Sequence, residues 1–167
     1  MVSPLTYSNA ELLAILRATR TIAMVGASPK WNRPSYFAMK YLQEKGYRVI
    51  PVNPGHAGKV ILGEKVYASL ADIPEQIDMV DIFRNAQAAG PIADEAIALA
   101  EGKGIKVVWM QLGVINHEAA GRARAAGLTV VMDRCPKIEF GRLHSELSWG
   151  GFNSGIISAK RRRVRLL

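Results

Sequence analysis

Glycine, serine and basic residues follow a short apolar run near the start of the chain, in a pattern suited to phosphate chemistry. The run ends at Gly26, and the next positions supply the Ser28 hydroxyl and the cations Lys30 and Arg33. Glycine permits a sharp backbone turn, a hydroxyl can donate to a phosphate oxygen, and basic side chains neutralise its charge. Pro34 begins a predicted helix, whose unpaired N–H groups and positive dipole end face the same turn. This turn is therefore predicted to hold phosphates, the alternative being an ordinary strand-to-helix turn with solvated cations.

Two features of the sequence argue against a standard NAD site. The G-x-G-x-x-G/A pattern is absent, because Gly26 is followed by Ala27, Ser28 and a proline. The second predicted strand ends in Asn53 and Pro54, where an NAD site would place an acid for the ribose 2′-hydroxyl. Asn53 can still hydrogen-bond a ribose or a base edge, and a side-chain turn before Pro54 is an equally good interpretation.

Polar or glycine residues also follow the later predicted strands. Phe83 could stack on an adenine ring, although a place in the core is the more common role for phenylalanine, and the adjacent Arg84 could meet a phosphate. Gln111 offers a polar amide after the fourth strand, and Gly113 permits close approach of the backbone. The fifth strand is followed by the polar segment Asp133–Glu139. Because open parallel sheets bind ligands beyond the carboxyl ends of their strands, these residues predict a ligand crevice.

Alternation of apolar runs with amphipathic segments predicts the elements that position these residues. The predicted strands are Thr21–Val25, Tyr47–Val52, Asp78–Phe83, Ile105–Met110 and Leu128–Met132. The predicted helices are one capped at Ser8, then Pro34–Lys45, Gly90–Glu101 and Asn116–Ala126, with a small hairpin around Ile61–Tyr67 and a helical turn at Ser69–Ile73. This order indicates an α/β, Rossmann-like doubly wound fold with a mainly parallel five-stranded sheet and helices on both faces.

The length of 167 residues and the absence of a linker predict a single domain, residues 1–167. Residues 143–167 are expected to be a C-terminal extension that adds an edge strand or covers the sheet. The net charge of +8 is concentrated there, in the basic tail Lys160–Arg165. A solvated tail is the favoured interpretation, and we do not expect nucleic-acid binding because no recognised nucleic-acid motif accompanies it.

The expected compartment is the cytoplasm, with no membrane association. No apolar run approaches the ~20 residues of a membrane span, and no secretory signal precedes the first helix. The lone cysteine, Cys135, suits a reducing compartment. The oligomeric state, including a homo-oligomer, stays open.

No catalytic or metal-binding arrangement is evident in the sequence. The three histidines lack metal-ligand spacing, and Asp133 and Glu139 are not evidently paired for acid–base chemistry. Cys135 lies close to Arg134 and Lys137, which could lower the pKa of its thiol and make it nucleophilic. A buried, inert thiol is the more common role of a single cysteine.

An ordered set of motifs resembles the small, stand-alone bacterial CoA-binding domain proteins. These motifs are Met24–Lys30, Asn32–Ser35, Gly46–Pro54, Leu70–Pro74, Asp81–Arg84, Trp109–Gly113 and Asp133–Glu139. They cover roughly residues 8–142. The chain is also similar to the N-terminal CoA-binding domain of the succinyl-CoA synthetase α subunit, where an Asn-Cys-Pro turn corresponds to Cys135-Pro136.

The resemblance implies a Rossmann-like fold that binds coenzyme A as its cofactor. The cofactor-binding residues that it implies are Gly26, Ala27, Ser28, Lys30, Arg33, Asn53, Pro54, Phe83, Arg84, Gln111 and Gly113. Coenzyme A carries a 3′-phosphate on its ribose, which an acid after the second strand would repel. The larger synthetases use a phosphorylated histidine in a second domain, so their ligase activity is not expected here.

Three hypotheses follow, in order of preference. The first is a protein that binds CoA or acyl-CoA without catalytic machinery, as a carrier or a sensor. The second is an enzymatic or redox role for Cys135, such as a mixed disulfide with the CoA thiol. The third is an NAD(P)-linked or nucleic-acid-associated regulator, based on the fold and the basic tail.

Overall fold

A computed structural model describes residues 5–149 and contains one central parallel sheet. The strands are β1 (Thr21–Val25), β2 (Arg48–Val52), β3 (Val60–Ile61), β4 (Glu64–Lys65), β5 (Met79–Ile82), β6 (Val107–Met110) and β7 (Thr129–Val131). Five of them form the sheet, all parallel, in the order β2-β1-β5-β6-β7, while β3 and β4 form a separate hairpin. The predicted α/β, five-stranded Rossmann-like sheet is confirmed. The carboxyl ends of the five strands meet at one edge of it.

Helices cover both faces of the sheet. They are α1 (Asn9–Ala18), α2 (Pro34–Glu44), α3 (Ala86–Lys103), α4 (His117–Ala125) and α5 (Pro136–Trp149). Successive strand residues point to opposite faces, so Ala23 packs with the small residues of α3 and α4, and Met24 packs with α1, α2 and α5. Within the described residues, no helix is both long and apolar enough to cross a membrane.

Helix α3 begins earlier than the sequence predicted. Its N-cap is Asn85, whose side-chain oxygen accepts a hydrogen bond from the Ala88 N–H at 2.8 Å. The predicted start at Gly90 treated Pro91 as a first-turn residue, whereas Pro91 lies inside the helix. An asparagine cap satisfies the free N–H groups of the first turn, so the helix starts there despite the proline.

Helix α5 was absent from the predicted elements, although it completes one face of the core. It begins at Pro136, and its residues Phe140 and Leu143 are buried against α1 and α2. Gly141 interrupts its pattern of helix-forming residues, which weakens the sequence signal. The helix runs through residue 143, the predicted start of the extension, and includes Trp149. The predicted edge strand beyond it and the basic tail lie outside the described residues.

Candidate ligand-binding site

Gly26 brings the ends of three strands together at the carboxyl edge of the sheet. Its φ is +93°, a conformation that L side chains rarely adopt, and its N–H donates to the Val52 carbonyl at 2.9 Å. A Cβ at this position would lie 2.8 Å from the Phe83 carbonyl oxygen. Only glycine therefore lets the turn after β1 pass between the ends of β2 and β5.

Two serines attach this turn to the start of helix α2. The Ser28 N–H donates to Ser35 Oγ at 3.1 Å, and the Lys30 N–H donates to Ser28 Oγ at 3.2 Å. Ser35 is buried in the first turn of α2. The helix begins after Arg33, which makes no side-chain capping hydrogen bond, so the start of α2 remains open toward the turn.

The turn and the neighbouring strand ends enclose a polar pocket of about 410 Å³. The residues that line it are Gly26, Ser28, Lys30, Arg33, Pro34, Ser35, Asn53, His56, Phe83 and Arg84. No acidic side chain is among them. Lys30, Arg33 and Arg84 are exposed, and none of the three forms an ion pair with an acid among residues 5–144. The pocket is therefore electropositive.

Asn53 builds the wall of the polar pocket between β1 and β2. Its side-chain oxygen accepts from the Gly55 N–H at 2.9 Å, and its Nδ2 donates to the Ala27 carbonyl at 2.9 Å. The side-chain turn is thus the observed conformation, and the amide bridges the two strand ends. The short 3-10 turn that follows brings His56 to the pocket.

His56 has a polar atom without a partner. Its Nδ1 is buried and makes no hydrogen bond within the described part of the chain. Sequence reasoning examined His56 for metal-ligand spacing alone and did not place it in the site. The signal that could have found it is its position directly after the Asn53-Pro54 turn, at the end of a strand.

A second, apolar pocket of about 480 Å³ adjoins the first. The residues that line it are Pro34, Phe37, Ala38, Phe83, Arg84, Gln111, Leu112, Val114, Cys135, Lys137 and Ile138. Pro34, Phe83 and Arg84 line both pockets. Phe37, Leu112 and Ile138 remain 48%, 56% and 51% exposed. Three exposed apolar side chains together in one pocket favour a ligand with an apolar part.

Asp81 and Gln111 form a buried polar pair beside the apolar pocket. Asp81 lies in β5, the central strand, and is fully buried. Gln111 Nε2 donates to both of its carboxylate oxygens, at 2.9 and 3.2 Å. Burial raises the pKa of Asp81 to about 7, although the hydrogen bond from Gln111 acts in the opposite direction. The sequence had not identified Asp81 as a functional residue.

Cys135 lies in the wall of the apolar pocket, directly before α5. Burial raises the pKa of its thiol, and the negative charge of Asp81 adds to that effect. Hydrogen bonds from the Ile138 and Lys137 backbones and from the Gln111 side chain oppose it without reversing it. The pKa of the Cys135 thiol is therefore raised, and the lowered pKa that its flanking cations suggested is wrong.

The flanking cations have other partners. The Arg134 guanidinium donates to the Leu5 carbonyl at 2.8 Å and lies over the ring of Tyr7, 5.4 Å from its centroid. Lys137 Nζ lies 5.7 Å from the centroid of the Tyr41 ring. The two cations adjacent to Cys135 in the sequence therefore direct their charged groups to other residues and do not lower the pKa of the thiol.

Eight of the eleven cofactor-binding residues predicted from the sequence line the two pockets, and three do not. Ala27 is buried and contributes its carbonyl to Asn53, while Pro54 begins the 3-10 turn with its side chain exposed. Gly113, with a φ of +78°, donates its N–H to Asp133 Oδ1 at 2.8 Å and so joins the loops after β6 and β7. The residues missing from the prediction are mainly apolar: Pro34, Ser35, Phe37, Ala38, His56, Leu112, Val114, Cys135, Lys137 and Ile138.

The sheet order and the crevice at its carboxyl edge place the protein among the Rossmann-like domains. The sequence model of the CoA binding domain matches residues 20–141. The chain belongs to this family, and the family predicted from the sequence motifs is confirmed.

Relatives of the chain include both small proteins and parts of larger enzymes. The uncharacterized protein YneT of Bacillus subtilis is 37% identical over 131 residues, 78% of this chain and 93% of the relative. A hypothetical protein from Pyrococcus horikoshii has a solved structure with a TM-score of 0.78 and 40% identity, covering 86% of this chain and 97% of that one. The α subunit of the ADP-forming acetate–CoA ligase I of Pyrococcus furiosus is 36% identical over 53% of this chain, which corresponds to 19% of that subunit.

Proposed function

We propose that the protein binds coenzyme A or acyl-CoA across its two pockets. The phosphates occupy the polar pocket, and the pantetheine arm extends into the apolar pocket. The observation that carries the proposal is the junction of the two pockets at Phe83 and Arg84. Coenzyme A has the same division, with a highly charged nucleotide at one end and a long, uncharged arm at the other.

The phosphate end has donors of the types that phosphate oxygens require. Lys30, Arg33 and Arg84 supply positive charge, and the Ser28 hydroxyl has a proton that it donates to no described residue. Pro34 has no N–H and the Tyr36 N–H donates to the Arg33 carbonyl, so the start of α2 adds the Ser35 N–H and the positive end of the helix dipole. The absence of an acid from the pocket lining favours a ligand with a ribose phosphate over one with a free ribose hydroxyl.

The arm end is suited to binding without covalent chemistry. Phe83 lies between the two pockets, where its ring can pack on the adenine or the first part of the arm. The Cys135 thiol in the pocket wall has a raised pKa, so it is mostly protonated and weakly nucleophilic at neutral pH. A carrier or sensor of CoA is therefore the role we propose, in preference to a redox role for Cys135.

Membership of the CoA-binding family supports a CoA-related role without specifying more. The ligase activity in the name of the Pyrococcus furiosus subunit belongs to a protein of which this chain matches 19%. We therefore propose binding, and no acyl transfer, for the domain described here.

Calorimetric titration with CoA, acetyl-CoA, dephospho-CoA and NAD tests the proposal. We expect CoA or acetyl-CoA to bind most tightly, and Lys30→Ala to weaken binding roughly tenfold because a charged phosphate contact is lost. Lys40→Ala is the matched control, since Lys40 is exposed on α2 and lines neither pocket. Tighter binding of NAD than of every CoA species would overturn the proposal.

A further inference from the structure

In the buried pair Asp81 and Gln111, beside the apolar pocket, the orientation of the Gln111 amide determines which of its atoms a ligand can contact. Gln111 Nε2 faces Asp81, whose two carboxylate oxygens lie 2.9 and 3.2 Å away. Above its pKa of about 7 the Asp81 carboxylate is ionised and only accepts hydrogen bonds, so the amide nitrogen, and not the amide oxygen, must then turn toward it. The Gln111 Oε1 is thereby directed away from the Asp81 carboxylate.

That oxygen is available to a ligand. No donor of residues 5–144 forms a hydrogen bond with Gln111 Oε1, and the atom is not among the buried polar atoms that lack a partner. The side chain of Gln111 lines the apolar pocket, where the neighbouring Leu112 and Val114 offer no polar side-chain group. The charged side chains of this lining, Arg84 and Lys137, are donors, so Gln111 Oε1 is its side-chain oxygen acceptor and selects ligands that carry a donor at the corresponding point.

The pantetheine arm carries such donors, in the N–H groups of its two secondary amides. We propose that Asp81 is a positioning residue that holds Gln111 with its Oε1 open to the apolar pocket, where this oxygen accepts a hydrogen bond from an N–H group of the pantetheine arm. The inference rests on the proposed function, because it assumes that the arm occupies this pocket. It adds the chemical feature by which the pocket recognises the arm.

The positioning role explains why a carboxylate lies in the middle of the sheet. Asp81 is fully buried between β1 and β6, where an apolar residue would be the ordinary choice. A hydrogen bond to a charged acceptor is roughly twice as strong as one between neutral groups, so the carboxylate holds the amide more firmly than a neutral partner would. The alternative is a pair that satisfies only its own hydrogen bonds and does not contact a ligand.

Two CoA analogues distinguish these possibilities, each with an ester oxygen in place of one amide N–H of the arm. In the wild-type protein at about pH 8.5, where Asp81 is ionised, we expect one analogue to bind roughly tenfold more weakly than CoA, since the loss of the N–H leaves Gln111 Oε1 unpaired. Asp81→Asn should reduce this ratio at least threefold, because a neutral amide partner no longer fixes the orientation of Gln111. Gln111→Met should abolish the difference in affinity between CoA and the analogue. Asp94→Asn is the control: it changes an exposed ion pair with Arg122 and should leave this difference unchanged.

The outcomes separate this inference from the proposed function. If wild-type protein fails to bind CoA, the proposed function fails. If it binds CoA but treats both ester analogues like CoA, the recognition of an N–H group is overturned. If wild type and Asp81→Asn both prefer CoA over the same analogue by the same factor, the orientation of Gln111 does not depend on Asp81, and the positioning role is overturned.

Discussion

The two pockets at the carboxyl edge of the sheet differ in how they are built. The polar pocket consists of turns after β1, β2 and β5, with exposed cations and a serine network. The apolar pocket lies between the starts of α2 and α5 and the loop after β6, with a buried carboxylate behind it. Charge in the polar pocket is solvated and inexpensive to maintain, whereas the charge behind the apolar pocket is desolvated.

This difference suggests a division of work between the pockets. Solvent-exposed cations attract anions over a distance and supply affinity that salt can screen. A fixed acceptor in an apolar wall contributes little to long-range attraction but discriminates between ligands. We therefore expect changes in the polar pocket to alter affinity and its salt dependence, and changes around the apolar pocket to alter selectivity and pH-dependent stability.

The largest expected effect comes from Gly26, whose turn passes between the ends of β2 and β5. Gly26→Val should destabilise the fold by about 4 kcal/mol or more and abolish CoA binding, because its φ of +93° is strained for valine and a Cβ would meet the Phe83 carbonyl. Gly58→Val is the matched control, with a φ of +84° and no neighbour within 4 Å of the added Cβ. It should cost roughly 1–2 kcal/mol by chemical denaturation. Equal costs at both positions would contradict the close approach at Gly26.

The buried carboxylate should make stability depend on pH. The pKa of Asp81 is about 7 in the folded chain, compared with an ordinary value of 3.8 that we take for the unfolded chain. Between these pH values the folded chain keeps a proton that the unfolded chain releases. Its contribution to stability is fully present below about pH 4 and is lost as the pH rises to about 7. Asp81→Asn should therefore unfold with a free energy similar to wild type near pH 4 and about 4 kcal/mol higher at pH 8. A difference that does not change with pH would show that Asp81 is not desolvated.

Charge removal in the polar pocket should weaken binding in a salt-dependent manner. Replacing both Lys30 and Arg33 by Ala should lower CoA affinity roughly 30-fold at low ionic strength, about 2 kcal/mol. The difference from wild type should shrink in about 0.5 M salt, because both cations are exposed and screened. Fluorescence or calorimetric titration over a salt series measures this. A salt-independent loss would place the phosphates elsewhere.

The smallest effect is expected at the rim of the apolar pocket. Phe37 is 48% exposed and lines the apolar pocket but not the polar one. Phe37→Ser should therefore lower CoA affinity only about fivefold, through lost apolar contact. The loss should be the same at low and high salt, in contrast to the polar pocket. If the loss of affinity depends on ionic strength instead, the phosphates and the pantetheine arm do not occupy separate pockets as proposed.

The sequence predicted the fold and the polar pocket better than the apolar pocket. Alternating apolar runs identify the strands, and residues such as Gly26, Ser28 and Arg33 carry recognisable phosphate chemistry within one short turn. The residues of the apolar pocket, such as Phe37 and Ile138, are ordinary apolar residues whose joint role depends on tertiary packing. Helix α5 was missed as well, so the environment of Cys135 could not be foreseen.

A pair such as Asp81 and Gln111 shows the same limit. The two residues are 30 positions apart, and neither type indicates a buried hydrogen bond until the register of β5 and β6 is known. The Asn53 turn was at least anticipated as one of two conformations, because an asparagine before proline favours it locally. Local chemistry is readable from sequence, whereas pairing across the sheet is not.

A crystal structure of the protein with CoA tests the central claim most directly, since one ligand should occupy both pockets. We expect phosphate oxygens within hydrogen-bonding distance of Lys30, Arg33 or Ser28, and an amide of the pantetheine arm beside Gln111. A ligand confined to one pocket, or one whose thiol end lies among the cations, would contradict the account.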